Sequence, residues 1–274
     1  MHRSGTSALA GMLARLGCDV PRDLLEAAPM NAKGFYESGG ISQMNDELMQ
    51  SAGSSWFTWQ PFSDSWFRAP QAQAGRTRAM AQLEAVYGDA AFPVIKDPRM
   101  CMLVPFWETV LEAAGYAPRY LHTHRHPLEV AQSLDHWAGY DQGYGQLLWL
   151  RYVLTAEAST RGQVRHFTSY TRLMQDWRAV ARNAGESLDL VWPRQSDRAA
   201  AEIDDFLDRD LSHMQARDDH ASDRQRLAPW VATTFAILER WNVGARRART
   251  RPTMRRSTGS GRPSTWRPRP FRLR

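Results

Sequence analysis

The apolar positions Leu9, Met12, Leu13 and Leu16 recur at helical spacing and stop at Gly17, where a helix C-cap belongs. Periodicity then fades. Residues 19–75 are rich in Pro, Gly, Ser and aromatics, with a short helix predicted around Ile41–Gln50. Helical spacing returns over Arg76–Tyr87. Phe92–Lys96 reads as a short buried strand closed by Asp97 and Pro98, and helix Leu103–Ala114 runs from there to Gly115. Strand Arg119–Thr123, helix Leu128–Trp137, a long amphipathic helix over Gly145–Ser159, strand Val164–Thr168 and helix Arg172–Ala184 follow in turn. Further helices are predicted near Ala199–Leu207 and Pro229–Trp241. Such alternation predicts an α/β fold with a central parallel sheet flanked by helices.

Composition refines this picture. A hydrophobic fraction of 43% over 274 residues is enough for a real core. Cys18 and Cys101 are the only cysteines, which argues against a disulfide scaffold and fits a reducing compartment. No apolar run approaches the ~18 residues of a membrane span, and no secretory signal leads the chain, so a cytoplasmic location is expected. The net charge of +6 is unevenly placed. Residues 245–274 hold 11 arginines and no acid, whereas residues 1–244 carry 24 basic and 29 acidic side chains. The chain thus divides into a folded domain over 1–244 and an Arg/Pro-rich basic tail over 245–274, expected to be disordered. The tail carries the basic pI, so no nucleic-acid partner is expected for the folded domain.

Two segments carry the chemistry. Arg3-Ser4-Gly5-Thr6-Ser7 opens a helix: the glycine lets backbone N–H groups approach an anion, and the helix N-terminus, the hydroxyls and the guanidinium supply donors. The bland alternative is a Ser/Thr helix cap beside a surface arginine. The GxxxxGK[ST] spacing of a Walker A loop is absent, and no strand-end Asp is evidently placed for Mg²⁺, which weakens a small-metabolite kinase reading. The second segment, His122–Pro127, ends a strand, and Ser133 follows Arg125 by eight residues, two turns into the next helix. Arg125 and Ser133 can grip one phosphate from two sides. His122, His124 and His126 share a strand face, which suggests zinc, although buried or surface histidines explain them better. Lys33 and Lys96, the only lysines, both fall in candidate motifs.

In these motifs the chain resembles the sulfotransferases that use 3′-phosphoadenosine 5′-phosphosulfate (PAPS), specifically their bacterial and carbohydrate-type branch. HRSGTS, beginning at His2, is similar to the family's 5′-phosphosulfate loop, and RHPLEVAQS, from Arg125 to Ser133, to its 3′-phosphate motif. FPVIKDPR at 92–99 resembles the strand whose lysine ends beside the sulfuryl group. NAKGFYE at 31–37 resembles a segment bearing a catalytic acid, and FTSYTRLMQDW at 167–177 the strand and turn that supply an adenine-contacting tyrosine, Tyr170. The resemblance implies a three-layer P-loop-type fold and spans about residues 1–215. It departs in three ways. The strand that should precede the first loop is absent from the sequence, the acid of the adenine segment is replaced at Thr171-Arg172, and the glycine-and-lysine third motif of the small-molecule branch is missing.

The resemblance implies sulfuryl transfer from PAPS to a hydroxyl or amine of a small-molecule or carbohydrate/glycolipid acceptor, with no metal required. Arg3 and Lys96 are expected to stabilise the charge left on the 5′-phosphate, and Ser4, Gly5, Thr6 and Ser7 to cradle it. Arg125 and Ser133 are expected on the 3′-phosphate and Tyr170 on adenine. Glu37 is the leading general base, with a solvated loop acid as the alternative. Asp97 comes second, because an Asp before Pro98 more often shapes a turn, and Arg99 braces either carboxylate. Trp56, Trp59 and Trp66 are candidates to stack on sugar faces, core or lid packing being the commoner use. A further alternative is an inactive nucleotide-binding remnant, its first strand missing and its tail foreign. On that view, adding about 5–8 upstream residues restores donor binding, and cutting after Gly244 costs little.

Overall fold

The computed structural model describes residues 1–28, 31, 33–214 and 226–243. The tail expected over 245–274 lies outside the described residues. In chain order come α1 (Thr6–Arg15), α2 (Gly39–Ser51), a 3-10 helix (Asp64–Arg68), α3 (Pro70–Tyr87), α4 (Met100–Ala113), β1 (Tyr120–His124), α5 (Pro127–Ala138), α6 (Gln142–Ser159), β2 (Arg165–Ser169), α7 (Tyr170–Gln175), α8 (Trp177–Leu188), α9 (Asp197–Met214) and α10 (Pro229–Val243). β1 and β2 run parallel in register, from Tyr120 beside Arg165 to His124 beside Ser169. The architecture among the described residues is α/β, rich in helix, around a two-stranded parallel sheet.

Local chemistry explains most boundaries. Ser38 caps α2 by accepting from the Ile41 N–H at 3.0 Å, and Asp141 caps α6 through Tyr144. α3 starts earlier than its apolar spacing predicts because Pro70 suits a first helical turn, where its missing N–H costs nothing. The helix expected over 172–184 is two helices. Asp176 leaves helical geometry at φ −154° and caps α8 through the Ala179 N–H at 2.9 Å, while Ser169 caps α7.

The strand expected over Phe92–Lys96 requires correction. The segment is only half-buried and makes one isolated bridge, Pro93 beside Asp19, closed by Asp19 N–H to Phe92 O and Val94 N–H to Asp19 O, each 2.9 Å. Pro93 has no N–H to add to a ladder, and among the described residues no neighbouring strand runs alongside long enough to form one.

Two apolar cores lie about the strands. One gathers Met44, Leu48, Leu103, Phe106, Trp107 and Trp149, from α2, α4 and α6. The other joins α1, α7, α8 and α9 through Met12, Leu13, Leu173, Leu188, Ile203 and Phe206. Among the described residues no helix is long and apolar enough to cross a membrane.

Candidate functional site

The 3–7 loop is built from unusual backbone. Arg3 has φ 61°, a left-handed conformation that costs a side-chain-bearing residue roughly 1–2 kcal/mol. Gly5, the residue before α1, sits at φ 78°, and no side chain caps the helix, so its first N–H groups keep their capacity for an anion. A Cβ on Gly5 would fall 2.3 Å from Tyr170 Cδ2, so the Tyr170 ring lies directly against this backbone. Ser4 is fully buried, and Thr6 opens the helix beside it.

Arg3 Nε donates to Ser133 Oγ at 2.7 Å, joining the two sequence motifs across 130 residues. Burial, then the nearby Arg125 guanidinium, lowers the Arg3 pKa. Two cations held this close stabilise an anion placed between them. The Arg125 guanidinium lies 4.9 Å from the Tyr170 ring centroid and pairs with Glu129 one turn into α5. Tyr170 is buried, at the first position of α7. Arg3, Gly5, Arg125, Ser133 and Tyr170 therefore form one constellation. Arg3 meets Ser133, a partner expected at the other phosphate.

Lys96 sits on the other side of the loop. Its Nζ donates to Ser7 Oγ at 3.3 Å and forms an almost buried ion pair with Glu37. Ser7 also accepts from Asn31 Nδ2 at 3.1 Å and donates to the Phe35 carbonyl at 3.3 Å, so its hydroxyl is a hub rather than a vacant donor. Burial pushes the Glu37 carboxyl above the usual glutamate range, although Lys96 pulls the other way. Behind the pair, Arg99 grips Asp46 with two hydrogen bonds, 2.6 and 2.9 Å, and lies 3.9 Å from Glu37. Asp97 accepts the Arg99 backbone N–H at 2.6 Å and shapes the turn into α4, as its position before Pro98 suggests. Its carboxyl too is raised by burial.

The histidines of the second segment go separate ways. His122 stacks on Phe167, 4.4 Å between centroids, and bonds Thr160. His124 bonds Glu239 at 2.6 Å, and His126 meets the Phe235 edge. Among the described residues no group of three His, Cys, Asp or Glu side chains is placed to hold a metal. α10 thereby touches both strand ends, since Asn242 also donates to Ser169 Oγ at 2.9 Å.

Of the three tryptophans, Trp66 is core, 5% exposed and donating to Ser51. Trp59 is exposed, and Trp56 packs with His2, Phe57, Trp137 and Tyr140. Donors from α6 clamp this aromatic loop: Tyr144 to the Phe57 carbonyl at 2.6 Å and Tyr152 to the Trp56 carbonyl at 2.8 Å. His2 joins the cluster to the site. Burial, then Arg99, the Met1 ammonium and Lys96, hold its ring pKa well below the usual value.

Sequence reasoning missed Asp46 and Asn31 as partners and His2 as a bridge. Glu129 had a visible signal, the four-residue spacing from Arg125. Asp46 had none, because its contact with Arg99 crosses 53 residues. No protein family, curated protein or solved structure matches this chain.

Proposed function

We propose that this chain is a PAPS-dependent sulfotransferase, a three-layer P-loop-type domain over residues 1–244. The observation that carries the reading is the meeting of Arg3, Arg125 and Ser133, with Lys96 and Glu37 on the far side of the same loop. A donor with two separated phosphate groups calls for two cationic grips. The Ser4–Ser7 backbone and Arg3 hold the 5′-phosphosulfate, Arg125 and Ser133 hold the 3′-phosphate, and Tyr170 stacks on adenine.

In the transfer the acceptor oxygen or nitrogen attacks sulfur, and the bond from sulfur to the 5′-phosphate oxygen breaks with its electron pair. Lys96 and Arg3 stabilise the charge developing on that oxygen. Glu37 takes the acceptor proton, and its ion pair with Lys96 opens to admit the acceptor between them. Arg99 and Asp46 position Glu37. Stacking faces near His2 favour a sugar-bearing acceptor, with Trp56 and Trp137 on its apolar side.

The test is donor choice. Adenosine 3′,5′-bisphosphate should raise the melting temperature more than ADP or Mg·ATP, and Arg125→Ala should abolish that difference. Equal shifts with all three nucleotides defeat the assignment. Turnover is read as bisphosphate released from PAPS with a saccharide acceptor.

A further inference from the structure

The parallel ladder ends at His124 beside Ser169, and the next residue on each side is a site candidate, Arg125 or Tyr170. Both lie beyond the last register pair, so contacts other than the ladder must fix their direction. Their side chains meet all the same, with the Arg125 guanidinium 4.9 Å from the Tyr170 ring centroid.

The last pair is held by α10. Phe235, Glu239 and Asn242 are spaced four and then three residues apart, so they share one face of that helix. Phe235 sets its ring edge-on to His126 and His124, 4.9 and 5.9 Å between centroids, and so touches the residue on either side of Arg125. Glu239 accepts from His124 Nε2 at 2.6 Å. Asn242 Nδ2 donates to Ser169 Oγ at 2.9 Å, and the same oxygen accepts the Arg172 N–H at 3.2 Å as the cap of α7. Tyr170 is the first residue of that helix. From α6, Trp149 Nε1 donates to the Arg125 carbonyl at 3.1 Å.

His124, Ser169 and Asn242 are buried, so water does not readily replace a bond lost among them. Val231 and Leu238 already bury α10 in the apolar core. Apolar burial has no direction, whereas a hydrogen bond has a preferred angle. The two polar side chains therefore add orientation to a helix that is otherwise docked.

We propose that Glu239 and Asn242 are positioning residues for the nucleotide: through His124 and Ser169 they set the angle at which Arg125 and Tyr170 face it. Glu239 acts on the Arg125 side, and Asn242 acts on the Tyr170 side through the cap of α7. The identity of the ligand rests on the sulfotransferase reading, whereas the coupling of α10 to the Arg125–Tyr170 pair does not.

Calorimetry with adenosine 3′,5′-bisphosphate and with 5′-AMP, at a temperature where each variant is fully folded, tests the proposal. Glu239→Ala should weaken the bisphosphate roughly five-fold or more and leave AMP, which lacks the 3′-phosphate, within about two-fold. Glu239→Gln keeps an acceptor oxygen for His124 and should bind both like the unsubstituted protein. Asn242→Ala should weaken both nucleotides about equally. Equal weakening of both by Glu239→Ala is general loosening and overturns the proposal, as does a Glu239→Gln variant as weak as the alanine. If the unsubstituted protein does not prefer the bisphosphate to AMP, the proposed function fails, and the coupling is then read without ligand. A 3-fluorotyrosine at position 170 should shift its fluorine resonance in Glu239→Ala and Asn242→Ala and keep it in Glu239→Gln. A resonance that neither alanine variant moves overturns the positioning role, with or without a nucleotide.

Discussion

Replacing Gly5 by alanine should be among the most damaging single-methyl changes in this protein, and Gly34 provides the control that isolates the reason. Both glycines have a positive φ, 78° and 84°. Each substitution therefore bears the left-handed penalty of roughly 1–2 kcal/mol, and each gains the same small benefit from a stiffer unfolded chain. They differ in surroundings. The new Cβ at Gly34 meets nothing within 4 Å, whereas at Gly5 it meets Tyr170 Cδ2, Cγ and Cβ at 2.3, 2.7 and 2.9 Å. Tyr170 Cβ is close to the backbone and cannot swing clear, so α7 must shift or the loop must open. Overpacking of this kind costs typically ~1–3 kcal/mol. At roughly 3 °C per kcal/mol for a domain of this size, Gly5→Ala should melt about 3–9 °C below Gly34→Ala. Moving the Tyr170 ring also removes the surface beneath Arg125, so adenosine 3′,5′-bisphosphate should bind at least ten-fold more weakly to Gly5→Ala. Gly34→Ala should keep its affinity. Equal melting temperatures for the two variants refute the steric argument, and unchanged affinity in Gly5→Ala refutes the placement of the nucleotide.

Lys96→Met strands Glu37 in the interior and should cost about 3–5 kcal/mol; adding Glu37→Gln should recover most of that in urea unfolding without restoring turnover, and a double variant no more stable than the single one rules out the buried pair. Glu129→Gln frees Arg125 from a half-exposed ion pair, so bisphosphate affinity by calorimetry should rise about two- to five-fold, the equivalent of ~0.5–1 kcal/mol; a fall would mean that Glu129 orients Arg125. Burial, then Arg165, lowers His122 to about 3, and burial lowers His166 to about 4. Both pKa values are depressed on folding, so this stability is complete above about pH 6.5 and is lost as pH falls toward the folded values. Comparing unfolding free energies from pH 6 to pH 4, His166→Asn should reduce the acid slope by up to about 1.4 kcal/mol per pH unit, and an unchanged slope would show that the ring is not held neutral.

The elements most legible in the sequence were those with strong periodicity and a local stop. Leu9, Met12, Leu13 and Leu16 announced α1, and Gly17 its end, because helix formation and termination are decided within a few residues. The break at Asp176 was also local, yet the apolar run across it masked the cap. Phe92–Lys96 misled for the opposite reason. Its short apolar run specifies a strand, but a strand exists only through a partner, and Asp19 supplies a single bridge. At the site, the spacing of Arg125 and Ser133 was readable, since a strand end and a helix turn fix it. That Arg3 would close on Ser133, or Asp46 on Arg99, depended on how separate elements dock, which no local pattern encodes.

The grip of α10 on both strand ends bears on how the molecule is made. Contacts between His124 and Glu239, 115 residues apart, and between Ser169 and Asn242, 73 apart, join the support of the second motif to a helix synthesised near the end of the described chain. Arg3 emerges from the ribosome early, and must wait for Ser133, 130 residues later. Closing so long a loop costs only about 2 kcal/mol more than closing one of 15 residues, so the delay is one of order rather than of stability. Helical pairs such as α5 and α6 can form as they appear, whereas the cluster of Arg3, Arg125, Ser133 and Tyr170 is assembled last and stays loose until α10 docks. A chain interrupted before residue 229 should therefore keep much of its helix while lacking the rigid strand ends from which Arg125 and Tyr170 project.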